Sequence, residues 1–212
     1  MPAAKSRSKR DTDRDLLVLA FEIIADTGWQ GFSFTELADR ADISISDVRQ
    51  AFASRPALLD ALSRRLDQAM LSVDSEDLEE LPPRDRVFEM VMNRLEAMAP
   101  FRAGLCRMMM DARTDPGLVI MTACRLDRSI GWLQDGAGLT HGHGGRPFGG
   151  LRRKIQRRLL GAVYLQTLNV WSTDESSDLA KTMASLDKQL RRIENLAGLG
   201  QGDNTESGAG AA

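Results

Sequence analysis

Apolar residues recur at three- and four-residue steps along most of the chain, which is the spacing of one face of an α-helix. Leu16, Leu17, Ala20, Ile23 and Ile24 make the first such face. They predict a helix from about Asp13 to Thr27, with Gly28 ending it as the C′ residue. The run Phe32-Ser33-Phe34-Thr35-Glu36-Leu37 carries a capping box (Ser33, Glu36) and a hydrophobic staple (Phe32, Leu37), so a second helix starts at Ser33. Ile43, Ser44, Asp47 and Val48 repeat the device and predict a third helix. A fourth begins near Ser54 and Pro56 and runs to about Met70, proline being tolerated in a first turn.

The acidic stretch SVDSEDLEELPP then interrupts the pattern and suggests a boundary near Ser72. Beyond it the helical spacing returns over Arg84 to Met98. Pro100 opens a sixth helix reaching Ala112, and Pro116 opens a seventh reaching about Trp132. QDGAGLTHGHGGRPFGG reads as a long glycine-rich loop. An eighth helix follows from Leu151 to Trp171, and a ninth from Ser176 to Ala197. The ninth has a narrow seam of Leu179, Met183, Leu186, Leu190 and Ile193, spaced as in a coiled coil. The reading is all-α, with about nine helices. Residues 1–12 form a disordered basic arm, 13–71 and 72–197 two helical domains, and 198–212 a flexible tail.

Composition agrees. Aromatic residues are 5% of the 212, while apolar residues reach 42%, enough for a helical core. The net charge of −2 gives no global attraction to nucleic acid or to a membrane. Residues 1–55 hold eight Lys/Arg and nine Asp/Glu, a sum of −1. The favourable charge lies in the arm, where Lys5, Arg7, Lys9, Arg10 and Arg14 outweigh Asp11 and Asp13. Cys106 and Cys124 sit in helical patterns and read as buried small hydrophobes of a reducing compartment. No apolar run spans a bilayer and no secretory signal opens the chain, so the expected location is the cytoplasm, without membrane insertion.

Helices 2 and 3 with their short turn make a helix-turn-helix. Such a motif sets the first residues of its second helix against base edges in the major groove. Val48 and Phe52 face inward in this reading, leaving Ile45, Ser46, Asp47, Arg49 and Gln50 outside. Arg49 is suited to guanine or phosphate, Gln50 to adenine and Ser46 to either. Ser33, Thr35 and Ser44 lie near helix N-termini, where backbone N–H groups favour phosphate. Asp47 needs no DNA to explain it, because an acid at N3 completes a cap and suits the helix dipole.

Residues 14–62 resemble the TetR family of bacterial transcriptional regulators. The carrying residues are Ala20, Gly28, Phe32-Ser33, Leu37-Ala38, Ala41, Ile43-Ser44, Phe52, Ser54-Arg55 and Leu58-Leu59. The resemblance implies a homodimeric regulator, read here as a repressor of double-stranded operator DNA released by a small apolar ligand. It also implies a phosphate contact from Arg55, at a position where the family usually has lysine. The family's turn glycine is here Asp42, its tyrosine Arg49 and its histidine Ala51. The C-terminal domain would then bind ligand and pair with its copy. A second resemblance, over 85–105 and 170–192, is to the accessory lipid-binding proteins of ubiquinone biosynthesis, which share the fold and are implicated in binding isoprenoid lipid instead of operator DNA.

Met90, Met92, Met98, Met108, Met109, Met110 and Met121 concentrate in helices 5 to 7, and methionine suits an adaptable apolar pocket. Met92, Met108, Met109, Met121, Trp132 and Trp171 are the expected lining. In the TetR-like architecture the last two helices form the dimer, through Leu159, Val163, Met183, Leu186, Leu190 and Ile193. His141 and His143 stand two apart without a third ligand, too few for a metal site. Arg152, Arg153, Lys154, Arg157 and Arg158 read as a solvated face. No phosphate loop, activated nucleophile or catalytic carboxylate pair is apparent, so neither enzyme activity nor a cofactor is expected.

Overall fold

The computed structural model describes residues 9–73, 80–139 and 149–197. These fold into nine α-helices with one 3₁₀ turn at Ala99–Phe101, and without strands among the described residues. The helices are α1 (Lys9–Gly31), α2 (Phe34–Ala41), α3 (Ile45–Ala51), α4 (Arg55–Leu71), α5 (Pro83–Ala97), α6 (Arg102–Asp111), α7 (Pro116–Gly136), α8 (Gly149–Thr173) and α9 (Ala180–Ala197). No described helix is long and apolar enough to cross a membrane.

Several boundaries differ from the sequence expectation for identifiable reasons. Helix α1 starts at Lys9, so residues 9–12 of the expected arm are helical. The helical path breaks at Gly28 (φ 76°, ψ 170°), where the sequence places the end of the helix, and a further short helical stretch follows to Gly31. Helix α7 runs beyond Trp132 into the stretch read as loop. There the Leu139 N–H bonds to the Gln134 carbonyl at 3.0 Å and Gly138 takes φ 70°, a glycine C-cap one turn further on. Helix α9 starts at Ala180 and not at Ser176, because Leu179 adopts φ 54° and breaks the helical path. His141 and His143 lie outside the described residues.

By compactness the chain divides into two units, one of residues 1–69 with 94–129 and one of 70–93 with 130–212. The first joins the N-terminal helices to α6 and most of α7. Its core holds Leu16, Leu17, Phe21, Ile23, Ile24, Trp29, Phe32, Leu37, Val48, Phe52, Leu58 and Phe101. Phe21 and Phe101 meet edge to face at 5.4 Å. A buried polar cluster crosses this core. Arg94 pairs with Asp67, and the Ser63 hydroxyl lies 3.4 Å from Asp67 and 3.5 Å from that of Ser129. A buried pair so arranged is strongly destabilising to break by removing one partner.

The second unit is built around the α8–α9 hairpin. Met90, Val91, Leu133, Leu160, Tyr164, Trp171, Leu186 and Leu190 fill it. Gln134 donates to Gln156 at 2.7 Å and to the Arg153 carbonyl at 3.3 Å. At the α8–α9 corner the buried Asp174 carboxylate accepts from the Thr182 N–H at 2.9 Å, the Thr182 hydroxyl at 2.7 Å and the Ser176 N–H at 3.1 Å. Hydrogen bonds from Ser176 first, then Thr182, hold its pKa far below the carboxylate range.

Candidate nucleic-acid interface

The turn between α2 and α3 closes through a non-glycine residue. Asp42 sits at φ 52°, ψ 47°, a region that aspartate tolerates better than most residues. Its N–H bonds to the Asp39 carbonyl at 3.3 Å, and the Ile43 N–H bonds to the Ala38 carbonyl at 3.1 Å. Those two bonds are the Schellman arrangement that closes a helix end. Ser44 then caps α3, accepting from the Asp47 N–H at 3.1 Å, while Asp47 accepts from the Ser44 N–H at 3.3 Å and from its hydroxyl at 2.7 Å. The capping box expected at Asp47 is complete. The one expected at α2 is not. Ser33 accepts from the Thr35 N–H at 3.2 Å, but Glu36 turns to Arg40 at 2.9 Å. Arg40 also reaches Asp26 at 3.1 Å, tying α2 to α1, and Asp26 first and then Glu36 raise its pKa.

Val48 and Phe52 are buried, which fixes the rotation of α3. Ile45, Ser46, Asp47, Arg49 and Gln50 are exposed. At 100° per residue they lie around the helix in the order Ile45, Arg49, Ser46, Gln50, Asp47. The acid is therefore at one edge of the exposed arc, and its carboxylate is already bonded within the cap. Thr35 is exposed and Ser33 half-buried near the start of α2.

Arg55 does not present a free guanidinium for phosphate. It donates to the carbonyls of Trp29 at 3.3 Å, Gln30 at 3.4 Å and Phe32, and it lies over the Trp29 and Phe32 rings. Those carbonyls lie at the end of α1 and just beyond it, so its role is to clamp α4 to the α1–α2 connection.

A second set of contacts fixes the same connection from α6 and α7. The kink at Gly28 frees the Trp29 N–H, which donates to Asp111 at 2.7 Å. Asp111 also accepts from Arg107 at 3.0 Å. The Trp29 N–H first, then Arg107, keep the Asp111 carboxyl below its usual pKa. A Cβ on Gly28 would come within 2.8 Å of Asp111. Gln30 donates to Asp115, whose carboxylate caps α7 through the Leu118 N–H at 3.0 Å. Hydrogen bonds from Leu118 and then Gln30 lower its pKa too. Gly104 lets α6 approach α1 closely, since a Cβ there would lie 2.3 Å from the Phe21 carbonyl oxygen. Of these residues only Gly28 belongs to a feature predicted from the sequence, the end of the first helix. Gly104 within a helical pattern and Asp115 before Pro116 are the signals of a close approach and a cap.

Solved structures place this arrangement. A TetR transcriptional regulator from Nitrosomonas europaea is 24% identical and superposes with a TM-score of 0.65, over 84% of this chain and 96% of that one. A transcriptional regulator from Rhodococcus is 18% identical, at TM-score 0.51 over 86% and 96%. A TetR transcriptional regulator from the same genus is 14% identical, at 0.53 over 88% and 97%. The chain has the TetR fold. The COQ9 family model matches residues 154–197, which take in the second of the two stretches that resemble the ubiquinone accessory proteins and not the first. Among curated proteins nothing matches the sequence.

The remaining expected site residues divide between the two compact units. Met92, Trp132 and Trp171 belong to the second compact unit, and Met108, Met109 and Met121 to the first. Met92, Met108 and Trp171 are buried, Met109 and Met121 half-buried, and Trp132 is 50% exposed. An indole so exposed is not part of an enclosed lining. Leu186 and Leu190 are each 0% exposed within the single chain. They belong to its own interior, because a side chain with no free surface has none left to cover in a dimer. Val163 is also buried, while Leu159, Met183 and Ile193 are half-buried. The apolar surface of α8 lies instead on Leu151, Ile155 and Leu165. Next to Leu165 a hollow of about 470 Å³ opens, lined also by Gln166, Asn169, Val170, Ser185 and Gln189. Neither cysteine is in a disulfide, and neither is fully buried. Cys106 is half-buried and Cys124 exposed.

Proposed function

We propose that the protein is a TetR-type transcriptional regulator: a homodimeric, cytoplasmic repressor of operator DNA, released by a small apolar ligand and acting by binding, not catalysis. The observation that carries this reading is the recognition arc of α3. Ile45, Ser46, Arg49 and Gln50 are exposed on a helix whose inner face and both ends are fixed by the chain itself. Residues 13–71 would read DNA, with Ser33 and Thr35 at the phosphates. Residues 72–197 would hold the ligand and the dimer, flanked by the arm (1–12) and tail (198–212). The exposed α8 positions, with Leu159, Met183 and Ile193, would face the second copy across a twofold axis. Ligand would favour a conformation whose recognition helices no longer match two half-sites one DNA turn apart.

A second reading has its own support in the COQ9 match to 154–197. In it the fold serves as a lipid-binding accessory protein of ubiquinone biosynthesis and leaves DNA alone. Selection of genomic fragments by the purified full-length chain separates the two. The regulator reading requires enrichment of a near-palindromic sequence. No enrichment, with isoprenoid lipid co-purifying, would replace it by the second.

A further inference from the structure

We propose that Ile45 reads the 5-methyl group of a thymine in each operator half-site, an inference that rests on the DNA-binding reading above. Ile45 is the first residue of α3 and is 52% exposed. Among the described residues nothing accounts for a large apolar side chain there. Burial would favour it, but half of its surface faces water. Helix propensity disfavours it, since β-branched residues lose rotamer freedom in a helix. The cap of α3 does not use it either, because Ser44 and Asp47 make that cap.

Its surroundings narrow the partner. Arg49 lies one turn further along the same flank of α3, whereas Asp47 is on the opposite flank with its carboxylate bonded to Ser44. The Ile45–Arg49 side of the arc therefore joins an apolar group to a cation. An aliphatic side chain gains nothing from a phosphate, nor from the donors and acceptors on base edges. In the major groove the apolar feature that base pairs present is the thymine methyl. A recognition helix lying there would bring Ile45 onto such a methyl, with Arg49 reaching a neighbouring guanine or phosphate. Ile45 would discriminate thymine from cytosine at one position and leave donor–acceptor readout to Arg49, Ser46 and Gln50.

The test removes the methyl and nothing else. An operator obtained by genomic selection with the full-length chain is resynthesised with single thymines replaced by deoxyuridine. Binding of the parent and of Ile45→Ala is measured at matched salt. At one thymine per half-site the parent is expected to lose about fourfold in affinity, the scale of one buried methyl-sized group. Ile45→Ala should bind the unmodified operator about fourfold more weakly and be indifferent to that same replacement. Its circular dichroism and melting should match the parent, because the side chain is exposed. The inference is overturned if the parent ignores deoxyuridine at every half-site thymine, or if Ile45→Ala loses as much as the parent does. Either result leaves the regulator reading intact. Failure to enrich any operator overturns both.

Discussion

The α2–α3 turn and the α8–α9 corner solve one problem with opposite materials. Each reverses the chain through a non-glycine residue in the left-handed region, Asp42 at φ 52° and Leu179 at φ 54°. At the first, backbone bonds and one capping box suffice, and the polar side chains further along α3 remain exposed. At the second, Asp174 is buried and spends its carboxylate on Ser176 and Thr182. The contrast separates structural from functional polarity. A polar group with partners inside the chain is explained by the fold, while an exposed group on a rigidly positioned helix is available to something outside it.

The contrast is tested most severely on the apolar side of the hairpin. Leu186→Asp places a carboxylate at a position 0% exposed in one chain. With an unpaired buried charge, the expected cost is about 4 kcal/mol or more, read as loss of the cooperative melt of the second unit. Leu165→Asp, at a position 54% exposed, should change stability by less than about 0.5 kcal/mol. If α8 faces the proposed second copy, it should instead yield a folded monomer by sedimentation. A folded Leu186→Asp monomer would return that residue to the interface.

Asp174→Asn comes next. The amide turns an NH₂ group toward donors that need an acceptor, so the melting temperature should fall clearly and the start of α9 should fray. The pH dependence has a definite sign. The folded pKa lies below that of an unfolded aspartate, about 3.9. Asp174 therefore contributes stability that is complete above about pH 5 and is withdrawn as the pH falls through and below that unfolded value. The variant should lose part of the parent's sensitivity to acid in this window. An unchanged acid titration would show that the carboxylate is not what holds the corner.

On the other side of the comparison, Arg49→Ala should leave melting within about 0.5 kcal/mol of the parent and weaken operator binding by about 1–3 kcal/mol. The two measurements together are the point. A stability loss with unchanged DNA affinity would make Arg49 a structural residue like Asp174, and the distinction between the two regions would fail.

How far the sequence revealed this depends on the range of the interactions. The capping box of α3 and the burial of Val48 and Phe52 were legible, since each is set within a few residues. The inward turn of Arg55 was not, because its carbonyl partners lie 23 to 26 positions away. The Asp111–Trp29 contact spans 82 positions and left no periodic trace. The seam of α9 predicts a dimer surface that includes Leu186 and Leu190 for a related reason. Periodicity reports that Leu186 and Leu190 are covered, but not whether their own chain or another one covers them.

The smallest effects test the two corners directly. Replacing Leu179 by glycine alone mixes backbone relief with the loss of a half-buried side chain, so the useful comparison is between glycine and alanine at the same position. Alanine has a Cβ and strains at positive φ. Glycine does not, but it orders a freer unfolded chain. If Leu179 is held left-handed by its surroundings, Leu179→Gly should be about 1 kcal/mol more stable than Leu179→Ala. The same glycine-over-alanine gap is expected at Asp42, where Asp42→Gly itself should lie within a few tenths of a kcal/mol of the parent, because aspartate already tolerates the region. Denaturant titration of the four variants measures both gaps. Equal stability of Leu179→Ala and Leu179→Gly would mean that the α8–α9 corner relaxes out of the left-handed region when the side chain is trimmed. Asp174 would then fix the start of α9 without fixing the path into it.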